Sequence, residues 1–162
     1  MSTFKHVIPP DQLVRIGDMT VSFALLEFQM QYIFVVLVNR SVRVGRILGS
    51  YLSFSNLRAA LNSLYKERFG EDALYSELRD LLAEAAGIEQ KRNAITHSLW
   101  VAGQTTSTIT RHKVTAREKR GFKAEFEQNS EDDLSAFVQS IQCLAGKFVD
   151  FYHKLPDELP SS

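Results

Sequence analysis

The sequence predicts an all-α protein: a helical bundle of four to five helices with a β-hairpin inserted before the C-terminal helix. Three observations lead there. Apolar residues recur at steps of three and four over long stretches, one Thr-rich stretch at residues 104–127 alternates instead, and helix-capping residues punctuate the chain. At 162 residues, 44% hydrophobic and 23% charged, the chain is large enough to bury roughly 70% of its unfolded surface as one domain. Residues 11–155 are read as that domain, with short tails at 1–10 and 156–162.

The first helix is expected from Asp11 to Asn39, opened by "PPDQ", with Gly17 as a point of kinking. Its centre, "VSFALLEFQMQYIFVVLV", is apolar enough to raise the question of a membrane span. Glu27, Gln29 and Gln31 argue against one, because a charge at the bilayer centre costs on the order of 3 kcal/mol. The reading is a helix buried in a bundle or shared with a second subunit, with no membrane partner. A short helix or irregular turn with Gly45 and Gly49 follows at residues 41–52, then a helix over "SNLRAALNSLYKERFG" that stops at Gly70. The next helix is expected from Asp72 to Trp100.

Beyond it, "TSTITRHKVT" and "GFKAEFEQ" read as two strands joined near "REKRG". Ser130 followed by Glu131, Asp132 and Asp133 marks a helix start, since the hydroxyl caps free N–H groups and the acids suit the positive end of the dipole. That last helix runs to Leu155, where Pro156 stops it.

Formal net charge is zero, so nothing global attracts nucleic acid, and any such argument is local. One cysteine, Cys143, rules out an intramolecular disulfide and a multi-cysteine zinc site, and reads as a small core hydrophobe. The start "MSTFKHVIPP" lacks a basic segment followed by an apolar run, which makes a cytoplasmic location the expectation. No HExxH or other metal-ligand spacing is present, so no metal or cofactor is implied.

Two apolar stripes carry the functional reading. In the fourth long segment, Leu74, Leu78, Leu81, Ala85, Ile88, Arg92, Ile95 and Leu99 follow one another at steps of three and four. In the first helix the same walk gives Leu13, Ile16, Thr20, Phe23, Glu27, Met30, Phe34 and Leu37. Each stripe holds one charge, of opposite sign, so Glu27 is expected to meet Arg92 unless both reach out to solvent. Around Arg92, at 100° per residue, Thr96, Asn93 and His97 spread into a fan at the stripe's edge. Arginine grips two phosphate oxygens, imidazole exchanges a proton near neutral pH, and an amide orients either. The plain alternative is an Arg, an Asn and a His with local surface or capping roles.

"RNAITH", residues 92–97, resembles the signature of the HEPN superfamily (higher eukaryotes and prokaryotes nucleotide-binding domains): an Arg, a polar residue directly after it, and a His a few residues on. HEPN domains are helical bundles with this motif near the end of a late helix, and many are metal-independent ribonucleases of toxin, anti-phage and RNA-processing systems. The helical plan extends the likeness over most of the chain, and the hairpin falls outside it. The resemblance implies catalytic roles for Arg92, Asn93 and His97, with Glu27 as structural partner of the site. It implies a homodimer whose two motifs share one cleft, RNA as substrate, and an antitoxin or other regulatory protein as partner. Some HEPN toxins carry a modified Tyr two residues after the His; here that position is Leu99, which speaks against that route.

For RNA binding the candidates are Lys91, beside the motif, and Arg111, Lys113, Arg117, Lys119 and Arg120 in or near the hairpin. Charges on a solvated ribbon also serve to keep strand edges from pairing, which is the simpler role for them. Two functions follow from the sequence: a dimeric HEPN-type endoribonuclease, or a non-catalytic HEPN-like module that binds RNA, a nucleotide or a protein.

Overall fold

The computed structural model describes residues 8–38, 41–102, 108–117 and 121–156; for 101–102, 108, 111–117 and 121–128 it describes the backbone only. Five helices, α1 (Pro10–Val38), α2 (Val42–Ser50), α3 (Phe54–Phe69), α4 (Ala73–Thr96) and α5 (Glu131–Tyr152), accompany three strands, β1 (Leu99–Ala102), β2 (Thr108–Arg117) and β3 (Gly121–Ser130). The protein is mostly helical with a hairpin ahead of the last helix, as the periodicity predicts. The chain forms two compact units, residues 1–21 with 90–140 and residues 22–89 with 141–162.

In the second unit the core is built from α1, α3, α4 and α5. Phe23, Leu26, Met30, Ile33 and Leu37 of α1 are buried, as are Leu57, Leu61 and Tyr65 of α3, Leu78 and Ala85 of α4, and Ile141, Leu144, Phe148 and Phe151 of α5. Aromatic rings meet within it, Phe23 with Phe54 at 4.6 Å and Tyr65 with Phe151 at 5.9 Å between centroids. The helix ends are satisfied by side chains. Ser53 accepts from the Asn56 N–H at the start of α3, and Asp72 accepts from the Tyr75 N–H at 2.7 Å at the start of α4. Gly70 closes α3 at φ 77°, a conformation that favours glycine. No basic residue lies in the last turn of α1; Arg68 of α3 donates to the Leu37 and Val38 carbonyls instead.

Asp72 also accepts from the Tyr65 hydroxyl at 3.2 Å. Burial, then the Asp72 carboxylate, pushes the Tyr65 hydroxyl well above the ordinary tyrosine range.

In the first unit β2 pairs antiparallel with β1 and with β3. The register runs from Thr108 opposite Ser130 to Arg117 opposite Gly121, so the hairpin extends to Ser130, three residues past its expected end. The first turn of α5 is a reciprocal cap. The Asp133 N–H donates to the Ser130 hydroxyl at 3.1 Å, and the Ser130 N–H donates to the Asp133 carboxylate at 2.9 Å. Those Ser130 hydrogen bonds, backbone first, hold the Asp133 carboxyl below its ordinary range.

Several sequence expectations are corrected. The motif helix ends at Thr96, not Trp100. Leu99, the last member of the apolar stripe, lies instead in β1 and is 65% exposed, because pairing with β2 replaces the next helical turn. In α1, Leu13 and Thr20 are exposed while Gln12 and Met19 are buried. An α-helix drifts about 20° per seven residues, so a stripe walked from the buried C-terminal half rotates off the core by the N-terminus. Cys143 is exposed on α5 rather than buried.

Candidate functional site

The motif occupies the last turn of α4 in the first unit. Helix C-termini leave four carbonyls without intrahelical partners, and this one answers with a run of local donors. The Thr96 hydroxyl donates to the Arg92 carbonyl at 2.9 Å and the His97 N–H to the Asn93 carbonyl at 3.0 Å. The Ser98 hydroxyl donates to the Ala94 carbonyl, and the Trp100 indole N–H to the Ile95 carbonyl at 3.1 Å. Four successive carbonyls are thus met in order. The reversal that ends the helix holds His97 in a turn, one residue beyond the last helical position.

Arg92 and Asn93 are half-buried and His97 is exposed. The Arg92 guanidinium donates through Nη1 to Asn93 Oδ1 at 2.8 Å, so the amide holds its neighbour's head group although the two positions are 100° apart around the helix. The His97 imidazole has no hydrogen-bond partner among the described residues. The buried side chain in this turn is Ile95, 3% exposed, which anchors the turn under the polar fan. An arginine fixed by an amide can hold an oxyanion, and a histidine open to solvent at the same capped helix end can exchange a proton.

Glu27 is half-buried and lies in the second unit, whereas Arg92 lies in the first. A double-mutant cycle tests the expected pairing: coupling above about 0.5 kcal/mol is the result a shared ion pair predicts.

The basic candidates fare differently. Lys91 places its ammonium 4.6 Å from the centroid of the Phe137 ring, a cation–π contact that joins α4 to α5 within the first unit. Its charge has a structural task. Arg111, Lys113 and Arg117 lie on β2, where the register sets Arg111 opposite Glu127 and Lys113 opposite Glu125. Two of the three positions are therefore paired in register with acidic residues. Lys119 and Arg120 lie outside the described residues. Among the described residues no group of three His, Cys, Asp or Glu side chains is placed to hold a metal ion.

Sequence reasoning missed the capping set Thr96, Ser98 and Trp100. The signal was there, in "THSLW": hydroxyls four residues after Arg92 and Ala94, where a Ser or Thr can reach back to the i−4 carbonyl. The reach of the indole to Ile95 required the chain to reverse, which no local pattern announces. Two other groups stand out only in the structure, the arginines Arg58 and Arg79 lining a shallow depression of about 300 Å³ between α3 and α4. Glu89 pairs with Arg58 there at 3.0 Å.

No protein-family model matches the chain, and neither the curated proteins nor the solved structures compared with it give a match.

Proposed function

We propose that the protein is a metal-independent endoribonuclease of HEPN type that cleaves RNA by attack of a 2′-hydroxyl on the adjacent phosphorus, acting as a homodimer in a toxin or anti-phage setting. The observation that carries this reading is the Arg92 guanidinium held at 2.8 Å by Asn93, with a solvent-open His97 five residues on, at one capped helix end. In the reaction the 2′-oxygen loses its proton to an imidazole and forms a bond to phosphorus. The bond from phosphorus to the 5′-oxygen breaks, and that oxygen takes up a proton. Arg92 binds the phosphate and offsets the charge that grows on its oxygens, while Asn93 keeps the guanidinium aimed.

One imidazole does not serve both proton transfers in a single step, so the second comes from the His97 of another copy. Exposed apolar groups of the first unit support a second copy there: Val21 is 72% exposed and Leu99, two residues from His97, is 65% exposed. The products are a 2′,3′-cyclic phosphate and a 5′-hydroxyl.

The test is cleavage of a mixed-sequence single-stranded RNA by the full chain, in excess EDTA, with His97→Ala as control. Cleavage that persists in EDTA, spares a 2′-deoxy substrate and vanishes in the variant supports the reading. Cleavage by His97→Ala at the parent's rate assigns the activity elsewhere. No cleavage, together with retained RNA binding, moves the function to a non-catalytic HEPN-like module.

A further inference from the structure

Helix α2 is built inside out. Its only buried residues are Gly45 and Gly49. A Cβ on Gly45 would stand 3.1 Å from Val35 Cγ1 and 3.2 Å from the Val35 Cα, and one on Gly49 would stand 3.4 Å from the Phe34 ring. The glycines therefore let α2 lie with its backbone close against α1. The cost of that choice falls on the opposite side. Val44, Ile47, Leu48 and the capping Tyr51, which point away from the glycines, are each between 44% and 84% exposed. On α1, Phe28 and Tyr32 are exposed as well, and they line a groove of about 260 Å³ with Gly45, Arg46 and Gly49. Three exposed aromatic rings and three exposed aliphatic side chains thus lie on two packed helices, more than the singly scattered apolar residues that any surface shows.

The order of side chains around α2 says what covers the face. At about 100° per residue, Ile47, Tyr51, Val44 and Leu48 fall within one arc of about 100°, and Arg43, Arg46 and Ser50 fall within an adjoining arc of about 60°. The helix thus presents an apolar edge beside a basic one. Between Glu27 and Glu67 the chain has no acidic residue, yet it holds Arg40, Arg43, Arg46, Arg58 and Lys66. A two-fold contact with a second copy would set this patch against itself, bringing the exposed Arg43 and Arg46 toward their own counterparts. The charge calls for an anionic occupant, and the apolar arc calls for hydrocarbon.

We infer that α2 with the neighbouring face of α1 docks on an anionic lipid surface, the side chains of Ile47, Leu48 and Tyr51 entering the boundary between headgroups and acyl chains while Arg43 and Arg46 meet the headgroup charge. A helix lying in the interface needs an apolar face and flanking cations, not a span of twenty apolar residues. Glu27, which opposes a spanning role for α1, does not oppose this one. The inference is independent of the ribonuclease reading, since it rests on the second unit alone.

The experiment is cosedimentation of the full chain with phosphatidylcholine vesicles, with and without phosphatidylserine. Binding to the anionic vesicles only, weakened by added salt, is the expected result. Replacing Ile47 and Leu48 together by Asn should weaken binding by about tenfold or more, and Arg43→Gln or Arg46→Gln by about fivefold each, with RNA cleavage unchanged in all of them. Tyr51→Ser, at a position 84% exposed, gives a variant with little to lose in folding and should also bind more weakly. Failure to bind anionic vesicles, equal binding to neutral ones, or substitutions that leave binding intact and instead split a dimer in sedimentation would each overturn the inference.

Discussion

The motif turn and helix α2 are both exposed, and they are exposed in opposite ways. At the end of α4 the outward groups are polar, and donors from Thr96, His97, Ser98 and Trp100 meet the four carbonyls of residues 92–95. In α2 the outward groups are apolar, and the helix is held by the absence of side chains at Gly45 and Gly49. The first arrangement fixes the backbone of the turn and the Arg92 head group, as chemistry on a small substrate group requires. The second offers area without orientation, which suits a broad and fluid partner. On the two readings proposed above, exposure alone does not distinguish a reactive site from a docking face; the difference lies in whether the backbone beneath is tied by side-chain hydrogen bonds.

The sharpest way to break this contrast is at the motif. Arg92→Ala and His97→Ala should each lower the rate of RNA cleavage by about a hundredfold or more, the lower end for loss of a general acid or base. Single-turnover cleavage under identical RNA saturation checks it. The histidine variant should keep the parent's melting temperature, because the exposed imidazole has no hydrogen bond to lose among the described residues. A melting loss equal in both variants would make the motif a structural device, and the contrast with α2 would fall.

Next in size is a comparison of two glycines. In a helix interior Gly→Ala ordinarily gains up to about 1 kcal/mol. Gly49→Ala, with its new methyl in ordinary contact with the Phe34 ring, should be neutral or slightly stabilising. Gly45→Ala, pressed against both the backbone and side chain of Val35, should cost about 1–3 kcal/mol as overpacking does. Urea denaturation of the two variants reads the difference. Equal stability would mean that α2 is not held by close backbone approach.

Trp100→Phe keeps the ring and removes the indole N–H from the Ile95 carbonyl. Loss of one such hydrogen bond should cost about 1 kcal/mol, and amide hydrogen exchange should quicken in the last turn of α4 before it does in α3. Cleavage should fall more than the stability loss explains, since the turn that positions His97 is loosened.

The smallest effect is at the start of α5. Asp133 has its folded pKa lowered by the Ser130 N–H and hydroxyl, so its contribution is present above the unfolded value near 3.9 and is lost as pH falls through the folded value. Acid titration of thermal stability should show a slightly shallower loss below about pH 4 in Asp133→Ala than in the parent. The carboxylate is exposed, which keeps the effect small.

Much of this was legible in advance. Steps of three and four predict α1, α3 and the body of α4, Ser130 with Asp133 predicts the cap of α5, and Thr-rich alternation predicts the β2–β3 hairpin. All of these rest on contacts within a few residues of chain. The candidate site divides along the same line. Adjacent residues bring Arg92 to Asn93, whereas the Trp100 bond that ends the helix waits on β1 pairing with β2. Leu99 shows the limit best. Its place at the end of an apolar stripe argues for the core, and strand pairing turns it out to solvent.

By itself, then, the chain determined where most helices start, which residues share a helix face, and that Arg92, Asn93 and His97 gather at the end of one helix, because caps, periodicity and turn chemistry act over a handful of residues. Only the tertiary structure decided that α4 yields to a third strand, that Arg68 closes α1 from another helix, and that α2 buries its glycines and shows its valines, isoleucine and leucine. Those outcomes depend on which surfaces meet across distant segments, and the free energy of a buried contact belongs to both partners at once, so neither segment's sequence contains it alone.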